Sequence, residues 1–248
     1  RPPRSTLFPY TTLFRSLQQR FLNTLVAIAK TVPQVPTLSD QNRTRAAVPH
    51  LEHATEFTDQ IAAEDSEYTW PFTALARLAQ SQSLWQQAVQ YRQNALKTTE
   101  TRQGANHPDT ATSLNNLAEL YWFQGRYEKV EPLYERSLQI CEEQLGANHP
   151  NTASILNNLA LLYKSQGRYE KAEPLYERSL QIREEQLGAS HPDTAQSLNN
   201  LAGLHQSHGR SEKAEPLYDR SLQLKEAQLE ANHSSTATSL NDLAGLYE

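Results

Sequence analysis

Four histidines, His107, His149, His191 and His233, recur every 42 residues, and the first three are each followed by proline. Imidazole is the commonest metal-binding side chain, so a regular histidine row raises the question of a zinc site. The interval argues against it. Equivalent residues of successive helical units lie at least a helix spacing of about 8–10 Å apart, whereas zinc holds its ligands at about 2 Å. These histidines are therefore expected to cap helix entries. His205 and His208 stand at i and i+3, but no third ligand accompanies them, and His205 reads as a replacement for a core tyrosine. Cys141 is the one cysteine, too few for a disulfide framework or a thiolate metal site. A phosphate-cradling G-x-x-x-x-G-K-[ST] loop is absent. With no nucleophile–base constellation either, no catalytic residue, cofactor or metal is assigned, and the chain is expected not to be an enzyme.

A second set of residues suits recognition. Asn115, Asn157, Asn199 and Asn241 keep the same 42-residue interval. Each carboxamide carries two donors and an acceptor, so a row of them could pair the backbone of an extended peptide without reading its sequence. Beside this constant row the units diverge. Residues 111–152 and 153–194 are identical at 33 of 42 positions, and four of the nine differences cluster on one stripe of the first helix. One unit has Thr112, Glu119, Trp122 and Phe123, the next Ser154, Leu161, Lys164 and Ser165, the third Gln196, Gly203, Gln206 and Ser207. Trp122 and Phe123 would make an apolar anchor. The competing explanation is that the stripe drifts because it is exposed and that the asparagines serve contacts between helices. Asn116, Asn158 and Asn200, one position on, are expected to be structural.

The elements that must present these residues are helices. Leu114, Leu117, Ala118 and Tyr121 fall at i, i+3, i+4 and i+7, the apolar stripe of an α-helix. Pro150 with Asn151 and Pro192 with Asp193 open the first helix of a unit, and Gly125, Gly167 and Gly209 end it. A second amphipathic run passes from Tyr127 through Val130, Tyr134, Leu138 and Cys141 to Leu145-Gly146. Pro132, Pro174 and Pro216 lie early in these second helices, where a missing N–H disrupts least. With Ala111 as slot 1, the variable slots 2, 9, 12 and 13 and the constant asparagine slot 5 span about 120° to 220° around the helix at 100° per residue. The core slots 4, 7, 8 and 11 span about −20° to 80°, so the stripe is expected to face away from the core.

At these positions the chain resembles the tetratricopeptide repeat. The family's signature slots hold Leu114, Leu117, Ala118, Tyr121, Val130, Tyr134 and Ser137, and the strings LNNLA, GRYEKAEPLYERSL and LGANHP resemble the 42-residue kinesin-light-chain type. Glu142 stands where the family usually has a proline, the turn falling to His149-Pro150. The resemblance implies an all-α fold, a right-handed alpha-alpha superhelix, in which the variable stripe lines a concave groove. The implied function is a scaffold binding a protein or peptide partner, with Asn115, Asn157, Asn199, Asn241, Glu119, Trp122, Phe123, Leu161, Lys164 and Gln206 as groove residues. Units are expected at about 69–110, 111–152, 153–194 and 195–236, with a partial unit at 237–248, in a solenoid over 66–248. The first unit departs from the pattern, Arg92 replacing the aromatic residue of slot 24.

Residues 17–65 do not repeat. Leu17, Phe21, Leu25, Ile28 and Val32 suggest one amphipathic helix, and Leu51, Ala54, Phe57 and Ile61 a second reaching about Ala63. Through VPQVPTL, AVPHLEHATEF and YTWPF this segment resembles the helical stretch preceding the repeats of STAND-class signalling NTPases, which implies an alternative role as the sensor arm of a larger signalling NTPase or protease. The opening RPPRSTLFPYTTLFRS, residues 1–16, resembles a translated sequencing-library adapter. With no methionine anywhere in the chain, the expectation is an adapter-derived, disordered leader on a fragment cut at both ends. Setting that segment aside leaves 20 basic against 28 acidic residues, a net charge of −8. Such a balance disfavours nucleic acid, whose phosphates call for Lys and Arg. No apolar run approaches the roughly 18–20 residues of a membrane span, so no membrane association is expected, and the single cysteine fits a cytoplasmic location.

Overall fold

A computed structural model of the chain describes residues 20–56 and 66–228, all of whose regular structure is helical. The helices are α1 (20–30), α2 (Leu38–Thr44), α3 (Val48–Glu56), α4 (Trp70–Ser81), α5 (Trp85–Gln103), α6 (Pro108–Phe123), α7 (Tyr127–Gln144), α8 (Pro150–Ser165), α9 (Tyr169–Leu187), α10 (Pro192–Ser207) and α11 (Ser211–Gln228). They fall into two compact units, divided between Gln124 and Gly125. Residues 1–16, Leu17, Phe57, Ile61, His233, Asn241 and the partial repeat at 237–248 lie outside the described residues.

The repeat histidines cap helices. Nδ1 of His107, His149 and His191 accepts the backbone N–H of Asp109, Asn151 and Asp193, each at 3.1 Å. That satisfies one of the orphan donors of α6, α8 and α10 and requires an unprotonated Nδ1. A threonine three residues on closes the same connection. Thr110, Thr152 and Thr194 donate to the carbonyls of Gly104, Gly146 and Gly188 at 2.8, 3.0 and 2.9 Å. Between the two helices of a unit the backbone turns through a left-handed residue. At Gly167, φ is +72°, and the Arg168 N–H returns to the Tyr163 carbonyl at 2.9 Å. The equivalent position of the first repeat is Ser83, which holds φ +60° with a side chain.

In the second unit, α8 pairs with α9 and α10 with α11. Ser179 and Ser221 donate to the carbonyls of Ala153 and Ala195 at 2.8 and 2.7 Å, tying each second helix to its own first helix. Successive repeats are joined by ion pairs in the same 42-residue register. Arg168 and Arg210 reach Glu131 and Glu173 at 2.9 and 2.8 Å, while Arg178 and Arg220 reach Glu142 and Glu184, each at 2.6 Å. Tyr163 adds a bond to Glu131 at 2.9 Å, and burial followed by that carboxylate raises its phenol to about 12. His205 takes the equivalent slot in the next repeat, as expected of a substituted core tyrosine. It is 5% exposed, and burial, then Arg210, lower its pKa. His208 is exposed, stacks on Tyr169 at 4.9 Å and meets Arg210, so it does not join His205 in a metal site. Among the described residues no His, Cys, Asp or Glu cluster could hold a metal. Cys141 is buried, and its thiol is pushed up to about 11, first by burial.

In the first unit, Leu22, Leu25, Ala29 and Val32 pack with Leu51, Ala54, Tyr68, Ala74, Leu75 and Leu78. The structure differs from the sequence expectation in three places. Phe21, expected on the buried stripe, is 47% exposed, because the face turned inward is Leu22, Leu25, Val26 and Ala29. Val32 is buried, but in the turn beyond α1. A helix with no counterpart in the periodicity, α2, is nucleated by a capping box in which Thr37 and Asp40 bond each other's backbone N–H at 2.9 and 3.2 Å.

Candidate partner-binding site

In the second unit Asn157 of the asparagine row contributes to packing between repeats. Asn157 is 6% exposed, and its Oδ1 accepts Asn200 Nδ2 at 2.8 Å. A helical wheel of α8 alone places this slot off the core stripe, but α10 of the next repeat covers it. Asn199 is half-buried, as is Asn115 in the first unit, and each has an interaction partner. Further along the stripe, Leu161 and Lys164 are half-buried. Gln206 accepts the Tyr218 hydroxyl at 2.8 Å. At Gly203 an added Cβ would meet Lys164 Nζ at 2.8 Å, so the glycine leaves room for that lysine.

In the first unit the stripe borders open space. Phe123 and Trp122 meet edge to face at 5.2 Å at the end of α6. Trp122 is half-buried, and its indole N–H has no partner among the described residues. Phe123 is 55% exposed and helps line a cleft of about 270 Å³. The cleft's other apolar walls are Val35 and Pro36 of the turn before α2 and Trp85 at the start of α5. Val35 is 82% exposed and Trp85 40%. Glu119 lines the same cleft.

Two arginines lie at its floor. Arg77 donates to the Val32 carbonyl at 2.8 Å and lies over the Trp70 ring at 5.7 Å. Arg92 is 8% exposed. Burial, then the Arg77 charge, bring its pKa down to about 10, with Glu119 acting the other way. Val35, Trp85, Arg77 and the cleft-facing role of Arg92 were not assigned from sequence. The loss of the slot-24 aromatic at Arg92 was the available signal; the walls from residues 34–36 lie outside the repeat and carried none.

The tetratricopeptide repeat family matches residues 70–143, 118–185, 154–227 and 193–248. Among solved structures the chain is similar to BtubC (BKLC) from P. vanneervenii, with a TM-score of 0.72, 24% identity and 82% of each chain covered. It is also similar to a Podosopora anserina protein with nearly identical TPR-like repeats, assigned to the kinesin light chains. That TM-score is 0.63 at 25% identity, covering 74% of this chain and 87% of the other. A single-substitution variant of the latter gives 0.61 at 23% identity, covering 81% and 86%. No curated protein matches the chain. Among the described residues no helix is long and apolar enough to cross a membrane. Histidine-capped first helices, a 42-residue register of ion pairs and matches spanning residues 70–248 together show that the chain belongs to the tetratricopeptide repeat family, whose repeats mediate protein–protein interaction.

Proposed function

We propose that this chain is a scaffold that holds a protein or peptide partner, and that the cleft of the first unit is the anchor point. The observation that carries this reading is the convergence of Val35, Trp85 and Phe123 on one cleft while each stays 40% exposed or more. Exposed apolar groups scattered singly need no explanation, but a cluster around a concavity is what an interface core requires. The variable stripe supports it, since Glu119, Leu161, Lys164 and Gln206 alter the chemistry from repeat to repeat while the scaffold stays constant. The cytoplasm is the compartment we assign to this role.

Panning a random peptide library against the chain tests the proposal. Selected peptides should carry a large apolar residue, and Trp85→Ala should lower their affinity at least tenfold with helicity unchanged by circular dichroism. Peptides bound equally well by the Trp85→Ala chain would count against the cleft.

A further inference from the structure

His205 takes the register position of Tyr163, and cations of the same register face both rings. In the earlier repeat Arg168 lies over the Tyr163 ring at 4.3 Å and Lys171 at 5.6 Å. A phenol suits both, because its face attracts cations while its hydroxyl donates to Glu131 at 2.9 Å. In the next repeat Arg210 and Lys213 stand at those positions and act on His205. A neutral imidazole tolerates them. An imidazolium is repelled by both.

The pocket holds little that would stabilise a proton on this ring. His205 is 5% exposed, and its Nδ1 is buried without a partner among the described residues. Glu173 of α9 is the one carboxylate acting on it among the described residues. Arg210 already holds both oxygens of that group, at 3.1 and 2.8 Å. His208, one turn on in α10, meets Arg210 through Nδ1 at 2.7 Å and stacks on Tyr169 of α9 at 4.9 Å. Arginine can only donate, so that Nδ1 accepts, and a proton on it would break this contact too. The groups facing His205 are thus Glu173 from α9, His208 from α10, Arg210 just before α11 and Lys213 in its first turn. A charge on His205 either takes Glu173 from Arg210 or draws the ring out to water, because a buried, unpaired cation is costly. Each outcome breaks a contact between successive repeats.

We propose that His205 is a proton-sensitive joint between the repeats at 153–194 and 195–236, closed while its imidazole is neutral and loosened in mild acid. The sign follows from burial, then Arg210, which lower its pKa from the ordinary 6.5. A histidine shifted this way leaves stability intact above 6.5 and subtracts from it as pH falls below that value, the loss levelling off beneath the lowered one. In ring-labelled protein the His205 resonance should titrate below pH 6.5. Lys213→Gln, which removes a facing cation, should move that midpoint up. From about pH 8 to about pH 5, the range over which imidazoles titrate, the native chain should lose at least about 2 °C more melting temperature than His205→Phe. His205→Tyr, which restores the arrangement at Tyr163, should be protected equally and covers the case in which His205→Phe fails to fold. Amide exchange, corrected for its intrinsic pH dependence, should rise in α10 and α11 of the native chain ahead of α8, a difference that His205→Phe removes. His208→Gln should keep most of the acid loss. Equal losses in the native chain and both His205 variants, or a loss that disappears in His208→Gln, would overturn the assignment.

Discussion

Asn200 donates its side-chain amide to Asn157 Oδ1 at 2.8 Å, joining the first helices of two successive repeats through residues 43 positions apart. Asn157 is therefore held on one side before any partner arrives. Because Asn200 is half-buried, water can replace part of what it loses, and Asn157→Ala should cost about 0.5–1.5 kcal/mol in denaturant melts. A double-mutant cycle with Asn200→Ala should recover most of that as coupling. Additive losses would show that the bond contributes nothing. Whether the remaining Asn157 N–H donors also meet a peptide is read separately, by affinity in the same variant.

Ser83 sits in the left-handed region at φ +60°, where the later repeats have Gly125, Gly167 and Gly209. An L-residue there is strained by its own Cβ, at a cost of roughly 1–2 kcal/mol. Ser83→Gly should therefore stabilise the first unit by about 0.5–1 kcal/mol, part of the relief being offset by the entropy of a freer unfolded chain. The reciprocal change, Gly167→Ser, should destabilise. Nothing lies within 4 Å of a Cβ built at Gly167, so its cost would be torsional. A stability unchanged by Ser83→Gly would contradict this account of the turn.

Acid should loosen the second unit through Glu131 and Glu173. Hydrogen bonds from Arg168 and Arg210 lower their pKa values from the ordinary 4.5. A carboxylate whose pKa falls on folding contributes stability above the unfolded value, and that contribution disappears as pH drops through the lowered one. These groups are half-buried and still reached by solvent, which screens the pairs, so each contributes only a few tenths to about 1 kcal/mol. Glu131→Gln with Glu173→Gln should destabilise the chain at pH 7, with the gap to the native protein closing well below pH 4.5. A gap that persists at low pH would mean the loss is one of packing.

The repeating parts of this molecule were legible because 33 of 42 residues recur, so any apolar stripe, proline or capping histidine is read several times over. The histidine caps, the position of His205 and the helical pairing follow from that repetition. The direction of Asn157 did not, because a wheel drawn for α8 alone omits α10, which packs against it. The wall around Val35 and Pro36 was illegible for a different reason. It comes from a non-repeating turn brought to Trp85 and Phe123 by tertiary packing, and Arg92 gains meaning only once its burial is known.

The central claim is that a partner seats on the cleft beside Phe123, and calorimetric titration of a library-selected peptide tests it most directly. Phe123→Ala should weaken binding at least tenfold, about 1.4 kcal/mol. Phe21→Ala serves as control, since Phe21 is similarly exposed at 47% but does not line the cleft, and it should leave affinity unchanged. With both variants fully helical by circular dichroism, unaltered affinity for Phe123→Ala, or equal losses in the two, would contradict the assignment.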